Sequence, residues 1–188
     1  GSFFGNSLPN SGFFGNPGGT VNRTNENGEY FPASGSWQTK ADAVLNSNLK
    51  VAIKAKVNYF ETPKHGFFLH TEVEKLDNQL TNDLAMVVYI IEDSLVGPQN
   101  VENVFTPNYV HRDIMRGTLD GTAWGRVLTP SLMTNGKYYV DYSYILPKQL
   151  GPGGETNFHN AENMHLLIYV YDTTTLEIYQ IIKKKFIP

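Results

Sequence analysis

A chain of 188 residues with 40% hydrophobic, 18% charged and 13% aromatic residues has the make-up of one folded domain, large enough to bury a core unaided. Its net charge of -3 provides no basic footprint for nucleic acid, and zero cysteines remove disulfides, thiolate zinc sites, iron-sulfur clusters and cysteine nucleophiles together. No apolar run reaches the roughly 18 residues of a membrane-spanning helix, so membrane association is expected only through an upstream anchor. The Gly1-Ser2 start lacks an initiator Met and any signal pattern, and the expectation is that a signal, a lipid anchor or a further domain precedes it.

Residues 1–36 are rich in Gly, Asn, Pro and Ser, with Phe-Phe-Gly-Asn at Phe3 and again at Phe13. Glycine-dense chain cannot sustain a helix, so this stretch reads as an irregular arm. Ser36 can cap a helix in which Trp37, Ala41, Val44 and Leu45 recur at helical spacing before Asn46-Ser47-Asn48 ends it. Residues 1–47 therefore form one part, an arm plus a short helix, and residues 48–188 another.

From Leu49 the period is two. Leu49, Val51, Ile53, Ala55, Val57 and Tyr59 take one face of a strand, while Lys50, Lys54, Lys56 and Asn58 take the other. Residues 65–76 repeat the scheme with Phe67, Leu69 and Val73 inward, and Thr62-Pro63-Lys64 turns between the two strands of a hairpin. Residues 83–93 are apolar on both faces, as a central strand covered on each side must be. Residues 94–108 read as a polar loop with Gly97-Pro98 and Thr106-Pro107, and residues 109–127 end in a tight Gly-Thr-Ala-Trp-Gly turn.

Alternation returns in residues 136–146, where Tyr138, Val140, Tyr142, Tyr144 and Leu146 share a face; Gly151 to Gly154 then form a loop. Residues 162–172 make a second near-continuous apolar strand, Asp172-Thr173-Thr174-Thr175 turns, and the last strand ends in Lys183-Lys184-Lys185, a charge run of the kind that blunts a sheet edge. Roughly six or seven strands at short spacing, with one short N-terminal helix, define a mainly β fold: an immunoglobulin-like antiparallel β-sandwich.

Three stretches resemble the Omp28 family of outer-membrane and cell-surface proteins of Bacteroidetes. They are residues 87–99, ending in Gln99; residues 109–126, with Tyr109-Val110-His111, Met115-Arg116 and the Gly-Thr-Ala-Trp-Gly turn; and the closing strand pair. The resemblance covers roughly residues 49–188 and implies a sandwich at the outer membrane or cell surface. Members often carry a thioredoxin-like domain ahead of the sandwich, and residues 15–23, with Pro17 and Asn22-Arg23, resemble its late loop, which would make residues 37–47 its closing helix. With no Cys-x-x-Cys in the chain, no redox activity carries over.

The residues themselves carry little catalytic chemistry. His111-Arg112-Asp113 matches the opening of a kinase catalytic loop, yet Thr118 stands where the metal-holding Asn belongs and no Asp-Phe-Gly follows. His111, Arg112, Asp113 and Arg116 are either an acid-base or anion-binding cluster or, on one continuous extended segment, surface ion pairs. Arg116 is expected to stack on the Trp124 indole or tie down loop carbonyls, and Trp124 to plug the sandwich. None of His65, His70, His111, His159 and His165 has metal-ligand spacing, Gly151 to Gly154 lacks the Lys of a phosphate loop, and Glu92 and Asp93 face opposite ways on a strand.

The tyrosines are either a sandwich core or an exposed platform for sugar or peptide. The expectation is a non-catalytic envelope module without cofactor or metal that meets a protein or glycan partner at the cell surface. Its candidate binding residues are Tyr109, His111, Arg112, Arg116 and Trp124. The alternatives are a carbohydrate- or peptide-binding module and an accessory domain of an envelope redox protein.

Overall fold

The computed structural model describes residues 18–26, 29–62, 64–147 and 160–187. The two Phe-Phe-Gly-Asn copies, Pro63, the Gly151 to Gly154 loop and His159 lie outside the described residues. Helix α1 (Trp37–Leu45) is followed by β1 (Val51–Phe60), β2 (Gly66–Lys75), β3 (Leu84–Glu92), β4 (Leu95–Val101), β5 (Val104–His111) and β6 (Ile114–Thr118). Then come β7 (Arg126–Val127), β8 (Met133–Thr134), β9 (Lys137–Ile145), β10 (Met164–Asp172) and β11 (Ile178–Lys185). All pairings are antiparallel. One sheet runs β1-β2-β9-β8, a second runs β11-β10-β3-β6 with β7 also on β3, and β4 and β5 form a separate two-stranded ribbon.

The core lies between the two larger sheets, and strand alternation dictates who enters it. The hairpin of β1 and β2 holds register from Val51↔Lys75 to Phe60↔Gly66, so Val51, Phe67, Leu69 and Val73 point into the core with no exposed surface. Leu49, expected on that face, precedes the first paired residue and is 49% exposed. Leu84, Met86, Val88 and Ile90 of β3 meet Met164, Leu166, Ile168 and Val170 of β10 in the same core. Tyr138, Tyr142, Tyr144 and Tyr179 are buried in or packed against it, which is the core role among the two expected for the tyrosines.

β3 is buried on its other face too. Ala85, Val87, Tyr89 and Ile91 join Tyr169 and Tyr171 in a second apolar cluster on the outer side of the sheet, roofed by Trp124, Met115, Leu176 and Ile178. A strand covered on both sides loses the polar-out half of its alternation, hence its unbroken apolar run.

Three further expectations need correction. Residues 94–108 are a hairpin rather than a loop: Glu102 and Asn103 both have positive φ (50° and 67°), the mirror-image two-residue turn that suits a hairpin's twist. Both faces of this ribbon meet solvent, so no burial imposes an alternating pattern on its sequence. The segment from Val110 to Arg116 is not one extended strand, because Asp113 at φ 47° breaks it and sends β6 to a different sheet from β5. The Ser36 hydroxyl does not cap α1; it donates to the Ala33 carbonyl at 2.8 Å, closing a 3-10 turn (Ser34–Ser36) ahead of the helix. Helix α1 buries none of its residues, and Leu45 is 81% exposed.

Candidate interaction surface

The residues of the distinctive 109–127 stretch do not gather. Arg112 reaches back to donate to Asp93 at 3.1 Å and Ser94 at 3.0 Å, Asp113 takes Lys183 at 2.6 Å, and His111 turns its ring edge-on to Tyr109 at 5.0 Å. These are solvated contacts at the base of the ribbon. Partial burial pushes the Asp93 carboxyl up, but the Ser94 amide and the Arg112 guanidinium outweigh it and hold the group below the usual carboxylate range.

Arg116 goes elsewhere. It is the extra residue of a bulge, since Ile90 faces Gly117 while Ile91 faces Met115, and the bulge turns it toward Glu92. Its Nε lies 3.2 Å from a Glu92 carboxylate oxygen, an ion pair set off the hydrogen-bond line, with the side chains 13% and 2% exposed. The other Glu92 oxygen accepts from the Asn160 amide at 3.0 Å. Arg116 thus neutralises a buried carboxylate and does not stack on Trp124 as the sequence suggested.

Trp124 does not plug the sandwich either. Its turn lies on the outer face of the second sheet, where the Tyr171 hydroxyl donates to the Trp124 carbonyl at 2.9 Å and the Tyr89 hydroxyl to the Ala123 carbonyl at 3.1 Å. The turn needs glycine at both ends, with Gly121 at φ 68° and Gly125 at φ 65°. At Gly125 the chain also passes so close to β3 that a Cβ would collide with the Met86 carbonyl. The cation over the indole is Arg23, 5.7 Å from its centroid, 5.0 Å from that of Tyr169 and 4.9 Å from that of Tyr171.

The family profile described as Outer membrane protein Omp28 matches residues 8–187. This chain belongs to the Omp28 family. Membership places it at the outer membrane or cell surface. A domain of the outer membrane lipoprotein Omp28 from Porphyromonas gingivalis is similar at 21% identity and a TM-score of 0.49, over 74% of this chain and 89% of that one. HBP35 of Porphyromonas gingivalis is similar at 14% identity and a TM-score of 0.71, over 94% of this chain and 54% of that one. The chain thus spans about half the length of HBP35, and at such identity the likeness is one of fold. No curated protein matches the sequence.

Within this Omp28-family sandwich, the β4–β5 ribbon is the surface that stands apart. It pairs with neither sheet and exposes Val96 by 60%, Val104 and Phe105 each by 66%, and Val110 by 41%. Register sets Val96 opposite Val110 and Phe105 opposite Asn100 on one face, with Val101 opposite Val104, and Tyr109 opposite Gly97, on the other. Of the five candidate residues, Tyr109 and His111 lie on the ribbon, Arg112 at its base, and Arg116 and Trp124 in the body of the sandwich.

A groove of ≈ 890 Å³ lies between α1 and β11 and is floored in part by the arm, lined by Val21, Val44, Leu49, Ile178 and Ile181 among others. Among the described residues no three His, Asp or Glu gather as a metal-ligand set, and no helix is long and apolar enough to cross a membrane. Sequence reasoning missed the exposed valines of the ribbon and the reach of Arg23. The Glu102-Asn103 dipeptide between Val101 and Val104 was the one available signal for the first. Nothing local signals the second, whose partner Tyr169 is 146 positions away.

Proposed function

We propose that this chain is a non-catalytic interaction and scaffolding module of the cell envelope, built as an immunoglobulin-like sandwich and meeting a protein or glycan partner through the β4–β5 ribbon. The observation that carries this is the ribbon's exposed apolar surface on both faces, with Glu102 as its one carboxylate. A two-stranded ribbon is marginal on its own in water, and contiguous exposed apolar side chains mark contact surfaces. The strand order supports the immunoglobulin-like reading. β1-β2-β9-β8 against β11-β10-β3 follows the A-B-E-D and G-F-C orders of such sandwiches, with β6 added beside β3.

The same reading divides the protein into residues 1–47, an arm plus a short helix that is the remnant of a thioredoxin-like domain, and residues 48–188, the sandwich. The tyrosine platform of the sugar-binding alternative loses its support, since Tyr138, Tyr142 and Tyr144 sit in or against the core.

The test uses a quadruple variant, V96S/V104S/F105S/V110S, and outer-membrane vesicles from the source bacterium. Its circular dichroism and melting temperature should match the parent, because these side chains are exposed. Binding of the purified chain to the vesicles should fall at least about tenfold, the scale of a few lost apolar contacts. Unchanged binding by a folded variant would remove the ribbon from the function.

A further inference from the structure

We propose that Tyr89, Tyr169, Tyr171 and Trp124 form a guanidinium-binding site on the outer face of the second sheet. Arg23 occupies it from within the same chain and latches residues 18–45 onto the sandwich. Arg23 is 6% exposed, its centre lies 4.9, 5.0 and 5.7 Å from the Tyr171, Tyr169 and Trp124 rings, and its Nη2 donates to the Tyr169 hydroxyl at 2.6 Å. The Tyr169 hydroxyl also bonds the Tyr89 hydroxyl at 3.1 Å, and these two rings meet edge to face at 74°.

The site is a feature of the sandwich rather than of the arm. Its walls are held by bonds that do not involve Arg23: the Tyr89 and Tyr171 hydroxyls grip the carbonyls of Ala123 and Trp124, and Gly125 seats that turn on β3. The cage is therefore preformed for a flat cation that can both stack and donate, which a guanidinium does and an ammonium does not. Burial pushes the Tyr89 and Tyr171 phenols up by more than Arg23 draws them down, so both stay neutral hydroxyl donors.

The arm is shaped to deliver the guanidinium. Asn22 and Arg23 hold φ of 55° and 50°, a left-handed pair that persists in non-glycine residues only where surrounding contacts enforce it. The Asn22 carbonyl accepts from the Ile178 amide at 2.9 Å, tying the arm to the edge of β11 beside the cage. Tyr30, 5% exposed, donates to the Thr175 carbonyl at 3.3 Å. Helix α1 contributes no buried residue and stands across a groove from β11, and among the described residues these arm contacts, with Arg23 at their centre, hold the arm to the sandwich.

The test is made in the full chain carrying W37F, which leaves Trp124 as the sole indole. R23A should shift the Trp124 emission to the red and speed exchange of the Ile178 amide at least about tenfold, as expected for release of a locally held segment. R23K should behave like R23A. Millimolar ethylguanidinium should restore the emission of R23A while ethylammonium leaves it unchanged. The proposal is overturned if R23A leaves both readouts as in the parent, if R23K matches the parent, or if ethylammonium restores emission equally. Should R23A fail to fold, Y169F removes the hydroxyl that accepts from Arg23, together with its bond to Tyr89, and keeps the ring. An intermediate acceleration at Ile178 then supports the latch, and parental exchange refutes it.

Discussion

Gly121 and Gly125 bound the same turn with nearly the same positive φ, yet their surroundings differ in one respect that a pair of alanine variants isolates. A methyl at Gly121 meets open space, so Gly121→Ala bears only the left-handed backbone cost, roughly 1–2 kcal/mol. A methyl at Gly125 bears that cost and also strikes the Met86 carbonyl and a Val87 methyl, so the turn must lift from β3. Lifting it breaks the Tyr171–Trp124 and Tyr89–Ala123 hydrogen bonds, at roughly 1 kcal/mol each, and uncovers part of the outer cluster. The sum for Gly125→Ala is about 4 kcal/mol, against 1–2 for Gly121→Ala. For a chain of this length that is a melting-temperature loss of about 8–16 °C against about 2–8 °C. Thermal unfolding followed by circular dichroism reads both. If Gly125→Ala were no worse than Gly121→Ala, the close approach of this turn to β3 would be wrong, and with it the account of Trp124 as the roof of the outer cluster.

Trp124→Ala should lower stability by about 2–3 kcal/mol, less than the roughly 3–5 of a fully buried aromatic because the indole is half-buried, which a melting curve lower by about 4–12 °C would show. Glu92→Gln leaves Arg116 beside a neutral partner in a site where the carboxylate is 2% exposed; a loss of about 2–3 kcal/mol in denaturant unfolding is expected, and a neutral result would mean the ion pair is solvated. Asp172 gives a pH signature. Burial raises its carboxyl, but the Thr175 and Thr174 amides, Asn82 and the Tyr179 hydroxyl together hold it below the usual range. A folded pKa lowered in this way stabilises the protein above the unfolded value of about 3.9 and ceases to do so as pH falls through the folded one. Melting temperature should therefore drop on acidification below about pH 4, and Asp172→Asn should flatten that drop while lowering stability at neutral pH. Phe105→Ser, at a side chain 66% exposed, should change stability by less than about 0.5 kcal/mol, and a larger loss would show that the ribbon packs on the body.

Much of the sandwich was legible because burial writes itself into strand sequence. Where one face is buried, as in β1, β2 and β9, the pattern alternates; where both are, as in β3 and β10, it is continuous. The β4–β5 ribbon escaped because neither face is buried, so its sequence had no period to show. Arg116 was assigned to the wrong partner because a bulge at Ile90–Ile91 re-aims its side chain, and an inserted residue in a pairing is a property of two strands at once. The family signature around Trp124 was visible, but its place was not.

The sequence by itself determined the class: a mainly β chain of two antiparallel sheets with a short N-terminal helix, an Omp28-family member, and glycines bracketing an indole in a tight turn. Those features depend on local period, composition and short motifs. Only the tertiary structure decided which side of the sheet the indole covers and which cation lies over it. Arg23 and Tyr169 meet because the arm is tied to the start of β11 at Ile178, which places the guanidinium over the outer face of β10. That contact between residues 146 positions apart exists only once the sheet has formed, so no local pattern could encode it.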